Sequence, residues 1–371
     1  MADPRLGETL AAPLLVTEKA PSVAAVEVRL PEEAPQRAHG MIIAERYRLE
    51  RCIGSGGMGE VWEARHLLLD RVVAVKLLAD EMRSVADRLL REARVLARVR
   101  HEAVVEVYDC GLLDGVPYLV MERLVGETLA QAVARGPMPV DGAVALFVTL
   151  LDGLQAAHKS GVIHRDLKPD NIFLARDAAG VLRPKLIDFG IAALTSDEAG
   201  ASGARLTRAG LVMGTPSYMS PEQFRGQTVD ARTDVWSATA SLYEAIVGAP
   251  PFGDDSVIAV MQRVLEAPLP FPRRAAGVDG RLWAILTTGM RKAPGERHPS
   301  VGAMRSELVG WLAERGASAP VPVNARPNTG GTGLDVRTGE SGAAGSSPAH
   351  GEAPLEHPTL DDVIRTRLGE D

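Results

Sequence analysis

Val162-Ile163-His164-Arg165-Asp166-Leu167-Lys168-Pro169-Asp170-Asn171 sets His, Arg, Asp, Lys and Asn within one short stretch. A loop that merely turned from helix to strand would need none of that density. An attacking hydroxyl needs a carboxylate to orient it and take its proton, which suits Asp166. Lys168 adds a positive charge where a transferring phosphoryl group develops charge in the transition state. Asn171 offers an amide oxygen to Mg²⁺, a hard ion that prefers oxygen ligands.

Downstream stands Leu186-Ile187-Asp188-Phe189-Gly190. An Asp directly after an apolar strand, followed by Phe and Gly, would aim one carboxylate at the metal and one ring into the core. As a lone tripeptide it occurs often by chance. Upstream, the β-branched run Val73-Ala74-Val75 closes on Lys76. A lysine at a strand end is usually just solvated. Glu92 changes the reading, because it sits in the middle of the helical pattern between Asp87 and Arg100, where it can reach back to Lys76. Glu81 and Glu102 are rivals for that pairing, but neither is mid-helix on an apolar-faced segment.

Further upstream, Ile53-Gly54-Ser55-Gly56-Gly57-Met58-Gly59-Glu60-Val61 fits G-x-G-x-x-G-x-V. Glycines let the backbone approach phosphate oxygens and point N–H groups at them. A dinucleotide-binding fold uses a similar spacing, but there the glycines open a helix. Here they lead into Val61-Trp62-Glu63-Ala64-Arg65 and a second β run. Strand, glycine turn, strand makes a hairpin lid over a nucleotide.

Around these stretches the composition falls into three zones. Residues 1–46 mix Ala, Pro and Glu without a sustained period and read as a flexible lead-in. Residues 47–315 carry the folded part: β-like runs to about 122, then helical patterns from about 126. They include Val140–Lys159, Asp230–Val247, Asp254–Leu265, Arg281–Met290 and Val301–Glu314. Residues 316–371 are rich in small and polar residues and bury too little to offset the entropy of ordering them.

The 371 residues carry 41 Lys+Arg against 48 Asp+Glu, a formal net charge of −7. That balance gives no reason to expect nucleic acid or an anionic membrane as the main partner. Two cysteines, Cys52 and Cys110, build neither a disulfide framework nor a zinc site. No uninterrupted apolar stretch approaches the ~18 residues of a spanning helix, and no signal peptide is expected. These features predict a cytoplasmic chain.

Taken together and in this order, the four motifs resemble the protein-kinase signature set. Val73-Ala74-Val75-Lys76 stands for V-A-I-K, and Met219-Ser220-Pro221-Glu222 stands where A-P-E is usual. The resemblance covers residues 47–315. It implies an α+β, bilobal protein-kinase-like fold, with a β-rich lobe carrying one key helix and a larger helical lobe. Lys168-Pro169 and the segment Gly214–Gln223 are similar to bacterial serine/threonine kinases of eukaryotic type.

The resemblance also implies roles by position. Lys76 would bind ATP phosphates and pair with Glu92. Asp166 would be the base, while Asn171 and Asp188 would hold Mg²⁺, with Mn²⁺ as its substitute. Met121 would gate the back of the adenine pocket. Glu122 and Leu124 would supply hinge backbone contacts, and Ala74, Val61 and Phe173 would sandwich adenine. Glu222 with Arg297, and Asp234, would be structural. Arg165 before the base implies control by activation-loop phosphorylation. Thr195, Ser196, Ser202, Thr207, Thr215 and Ser217 are available there, and Thr207 is the expected acceptor. Partners would be proteins with Ser or Thr acceptors, together with a transient homodimer if phosphorylation passes between chains. A pseudokinase scaffold is the rival from another class, but it usually lacks the lysine, the base or a metal ligand. All are present here.

Overall fold

β-Branched residues and alternation build the first lobe. In the computed structural model, residues 39–57, 59–176, 181–189, 215–272 and 277–316 are described. Strands β1 (Ile42–Ile43), β2 (Tyr47–Gly56), β3 (Gly59–His66) and β4 (Arg71–Leu78) come first. Helix α1 (Ala86–Leu96), β5 (Val107–Leu113) and β6 (Val116–Glu122) follow. The strands form one antiparallel sheet in the order β1-β2-β3-β4-β6-β5. Alternation sends Leu49, Ala64, Val75 and Val120 to one buried face. The other face takes α1, whose apolar stripe of Leu89 and Ala93 packs on Val107, Val116 and Leu119.

The sheet begins earlier than the composition suggests. Ile43 is fully buried, and β1 pairs with β2 through Ile42↔Arg48 and Ile43↔Tyr47. Two residues are too few to show a period, so backbone pairing alone reveals this strand.

The second lobe follows the chain through β7 (Gly126–Thr128), α2 (Leu129–Ala134), α3 (Val140–Lys159), β8 (Ile172–Arg176) and β9 (Leu182–Leu186). After these come α4 (Pro221–Phe224), α5 (Ala231–Val247), α6 (Val257–Glu266), α7 (Gly280–Gly289) and α8 (Val301–Glu314). The three-stranded sheet β7-β8-β9 interrupts a region whose patterns are otherwise helical. Its strands are short and carry no strong alternation. Helix starts follow the caps: Asp230 accepts from the N–H of Arg232, and Ser256 from that of Ala259. The cap at Ser256 is why α6 begins at Val257 and not at Asp254.

α3 is long and apolar enough to cross a membrane by length and composition. It is instead the axis of the large-lobe core, with Val144, Phe147, Leu150, Leu151 and Leu154 at 0% exposure. Burying each such side chain is worth about 1.5–3 kcal/mol. Leu286 of α7 and Met304, Leu308 and Trp311 of α8 join the same core, so the folded unit continues to the end of α8. Both lobes belong to one compact unit, and the cleft between them receives β3, β4 and the segments on either side of β8 and β9.

Candidate active site

The roof of the cleft is the β2–β3 hairpin, and its glycines are of two kinds. Gly59 has φ +126°, and a Cβ there would meet the Leu77 carbonyl oxygen at 2.1 Å. Its smallness is demanded by the close approach of the Leu77–Leu78 backbone of β4, with which β3 pairs. A Cβ on Gly56 or Gly57 would meet nothing within 4 Å, and one on Gly54 only Val61 Cβ at 3.9 Å. Packing asks nothing of these three, which leaves the open space beside them for a ligand. Met58 lies outside the described residues. Glu60 accepts a hydrogen bond from Trp62 Nε1 at 2.9 Å.

On β4, Lys76 is 5% exposed. Its Nζ lies 2.7 Å from Oδ1 of Asp188. The expected pairing with Glu92 is corrected here: Glu92 stands 3.9 Å from Arg88 one helical turn away. The physical reason is the placement of α1. A small pocket, partly open to solvent, lies between α1 and the Asp188–Phe189 segment. Glu92, Leu89, Met121 and Phe189 are among its walls. With Glu92 held across that space, the nearest carboxylate for the buried ammonium is Asp188.

On the floor, Asp166 is braced from two sides. Lys168 Nζ lies 3.1 Å from its Oδ2. Asn171 Nδ2 donates to the same oxygen at 3.1 Å and to the Asp166 carbonyl at 2.7 Å. The Asn171 amide nitrogen is thereby committed, and its Oδ1 has no partner among the described residues. The loop itself hangs from Asp234 in α5, which is fully buried. That carboxylate accepts the N–H groups of His164 and Arg165 at 2.8 and 2.9 Å. His158 Nε2 completes its shell at 2.7 Å. Gln223 Nε2 donates to the Arg165 carbonyl at 2.8 Å. These bonds hold Arg165 at φ +63°, while Asp188 sits at φ +57°. Non-glycine residues in the left-handed region cost energy and persist where surrounding bonds over-determine them.

His164 joins the floor to the segment leading to Asp188. Its Nε2 lies 3.1 Å from the Ile187 carbonyl. A carbonyl only accepts, so Nε2 carries the proton. Burial pushes the imidazole below its ordinary value, outweighing the pull of Asp234, Asp166 and Asp188. Its ring stacks at 4.6 Å, tilted, on Phe189.

The structure brings Lys76, Asp166, Lys168, Asn171 and Asp188 to one cleft. Ala74 lies opposite Met121 and Glu63 in the sheet, and Val61 opposite Lys76. Phe173 lies opposite Thr128 and Lys185 in the small sheet. The Leu124 carbonyl receives the Arg123 guanidinium. Thr215 is half-buried, and Ser217 is 3% exposed and donates to the Gly253 carbonyl at 2.8 Å. Ser217 is therefore closed to an incoming phosphoryl group. Thr195, Ser196, Ser202 and Thr207 lie outside the described residues. Glu222 and Arg297 form a buried bidentate pair at 2.7 and 2.6 Å. Sequence reasoning missed Lys185, His158 and Gln223, and no local pattern marks any of them.

Comparisons with known proteins show the family. The family model described as the protein kinase domain matches residues 47–275. The serine/threonine-protein kinase PknB of Mycobacterium tuberculosis is 38% identical over 334 residues, covering 88% of this chain and 51% of that protein. The serine/threonine-protein kinase pkn2 of Myxococcus xanthus is 37% identical over 320 residues, covering 83% of this chain and 38% of that protein. The solved kinase domain of M. tuberculosis PknI superposes with a TM-score of 0.60 at 27% identity, covering 74% of this chain and 99% of that domain. The chain thus spans about half the length, or less, of these curated relatives.

Proposed function

Because this chain belongs to the protein kinase domain family, we propose that it is an active serine/threonine protein kinase using Mg-ATP. The observation that carries the reading is the convergence of Asp166, Lys168, Asn171, Asp188 and Lys76 under a glycine hairpin with room for a ligand. Asp166 accepts the proton of the substrate hydroxyl. Its carboxylate is already oriented by Lys168 and Asn171, so little reorganisation accompanies the reaction. Lys168 also faces the charge that builds on the transferring group, and Lys76 serves the phosphates of the nucleotide.

The oxygens of Asn171 and Asp188 would hold Mg²⁺. The fit is good, since the amide of Asn171 has turned its nitrogen to Asp166, leaving its oxygen as a hard donor beside a carboxylate. The bound ion supplies charge neutralisation at the phosphate oxygens. Mn²⁺, another hard divalent ion, is the expected substitute.

The catalytic unit runs from β1 to the end of α8, beyond the residues matched by the family model, because α7 and α8 complete its core. Substrates are proteins with Ser or Thr acceptors, and Thr207 is the autophosphorylation site, exchanged within a transient homodimer. Use of ATP and the presence of two unpaired cysteines, Cys52 and Cys110, support a cytoplasmic placement.

The test is incubation with Mg²⁺ and labelled ATP beside Asp166→Asn and Lys76→Met. Label on Ser or Thr of the unsubstituted chain alone is expected. Equal label on all three would sink the reading. Phosphate mapping that leaves Thr207 unmodified in fully active protein would remove that assignment.

A further inference from the structure

Lys185 lies in β9, three residues ahead of Asp188. Its ammonium is 2.6 Å from Oε1 of Glu122, the last residue of β6. That same oxygen accepts the backbone N–H of Glu106 at 2.9 Å. The N–H of Glu122 in turn donates to the Glu106 carbonyl at 2.9 Å. Glu122 is thus fastened through its backbone and its side chain at once.

The strand that carries Lys185 is equally fixed. The Leu186 carbonyl accepts from the N–H of Val105 at 2.9 Å, and the Leu186 N–H donates to the Ala103 carbonyl at 2.8 Å. One residue on, the Ile187 N–H donates to the Asn171 carbonyl at 3.0 Å. Three chain segments therefore meet at one carboxylate: the end of the small-lobe sheet, the entry to β5, and the strand leading to Asp188. The two side chains are only 17% and 20% exposed. An ion pair so placed is screened less than one on the open surface.

We infer that Lys185 and Glu122 act as one positioning unit, which holds the adenine-contacting backbone of the hinge in register with the strand that carries Asp188. This rests on the proposed reading of the cleft as an ATP site. A hinge held in its binding conformation before the nucleotide arrives loses less freedom on binding, and affinity gains accordingly. The gain belongs to the adenine end, because the phosphates meet a different part of the cleft. Without Lys185, the Glu122 carboxylate keeps only the Glu106 amide, and the hinge is free to relax.

The experiment measures adenosine and Mg-ATP affinity by calorimetry for the unsubstituted chain, Lys185→Met, Lys185→Arg, Glu122→Gln and the Lys185→Met/Glu122→Gln double variant. Lys185→Met is expected to weaken adenosine and ATP by the same factor, on the order of tenfold for a lost charged hydrogen bond. Lys185→Arg should restore most of the affinity. The double variant should be no weaker than the worse single one, as for residues acting as a unit. In turnover, KM for ATP should rise in Lys185→Met while kcat at saturating ATP stays within about twofold of its original value. Lys185→Gln, which also removes the charge, gives the same reading should Lys185→Met fail to fold.

Unchanged adenosine affinity in Lys185→Met would overturn the inference, even if the melting temperature fell, since that combination marks a merely structural pair. Single effects that multiply in the double variant would overturn it as well. An unsubstituted chain that binds neither adenosine nor ATP would overturn the ATP reading itself, and the inference with it.

Discussion

Lys76 Nζ and Asp188 Oδ1 lie 2.7 Å apart, so one ion pair spans the cleft between the small-lobe sheet and the strand end of the large lobe. On the proposed reading this pairs the lysine for the phosphates with a carboxylate for the metal. Lys76→Met would then remove a charge used in phosphoryl transfer and leave the adenine end of the cleft intact. We expect kcat to fall by about 10²–10³-fold, the usual cost of deleting one preorganised electrostatic partner. The dissociation constant for ATP should change by far less. Steady-state kinetics beside equilibrium titration measure both, and a parallel loss of binding and turnover would contradict the assignment.

The glycines of the hairpin should separate in experiment. Gly59→Ala forces a Cβ to 2.1 Å from the Leu77 carbonyl at a φ of +126° and should cost about 1–3 kcal/mol of stability. Gly56→Ala meets no atom within 4 Å and should leave stability within about 0.5 kcal/mol, while raising KM for ATP. Thermal melts and ATP titrations on the two variants check this. A destabilised Gly56→Ala with normal KM would show that both glycines are structural.

The Glu222–Arg297 pair is deeply buried in the large lobe, with side chains 3% and 0% exposed. Burial works to raise the Glu222 carboxyl, but the hydrogen bonds and charge of Arg297, with the bonds from its own backbone N–H and from Thr233, together outweigh it and hold the group below the usual carboxylate range. Arg297→Ala would strand that carboxylate, a loss of about 3–5 kcal/mol. It would also vacate the carbonyls of Arg291, Arg232 and Lys292. Denaturant unfolding measures the loss. A change within about 0.5 kcal/mol, typical of surface sites, would mean the pair contributes nothing.

His164 predicts an acid limit. Its folded value lies below 6.5, so on acidification the unfolded chain takes up the proton first. Stability from this group is complete above the unfolded value of about 6.5 and is lost as pH falls through it toward the folded value. The unfolding midpoint should therefore drop as pH falls below about 6.5, and the drop should shrink in His164→Gln, whose amide does not titrate. An identical pH profile in both proteins would remove His164 as its source.

Much of the site was legible because its parts are contiguous. Asp166, Lys168 and Asn171 lie within one turn of chain, and their mutual bonds follow from a 3₁₀ turn at Pro169–Asn171. The helix over Val140–Lys159 was equally legible, since a long apolar run bounded by Pro139 and Ser160 leaves few alternatives. The short strands β1 and β7–β9 were not, because pairing with partners far along the chain creates them. The same holds for Glu122 with Lys185, 63 residues apart, and Glu222 with Arg297, 75 apart.

The sequence by itself determined which chemical groups are present and which short stretches carry them, because residue type and backbone reach are local properties. The tertiary structure alone decided which partner each buried charge takes. Glu92 is in the right helix to meet Lys76, yet the packing of α1 on the sheet leaves a cavity between that helix and Asp188. The ammonium therefore closes on the carboxylate that long-range packing brings within 2.7 Å.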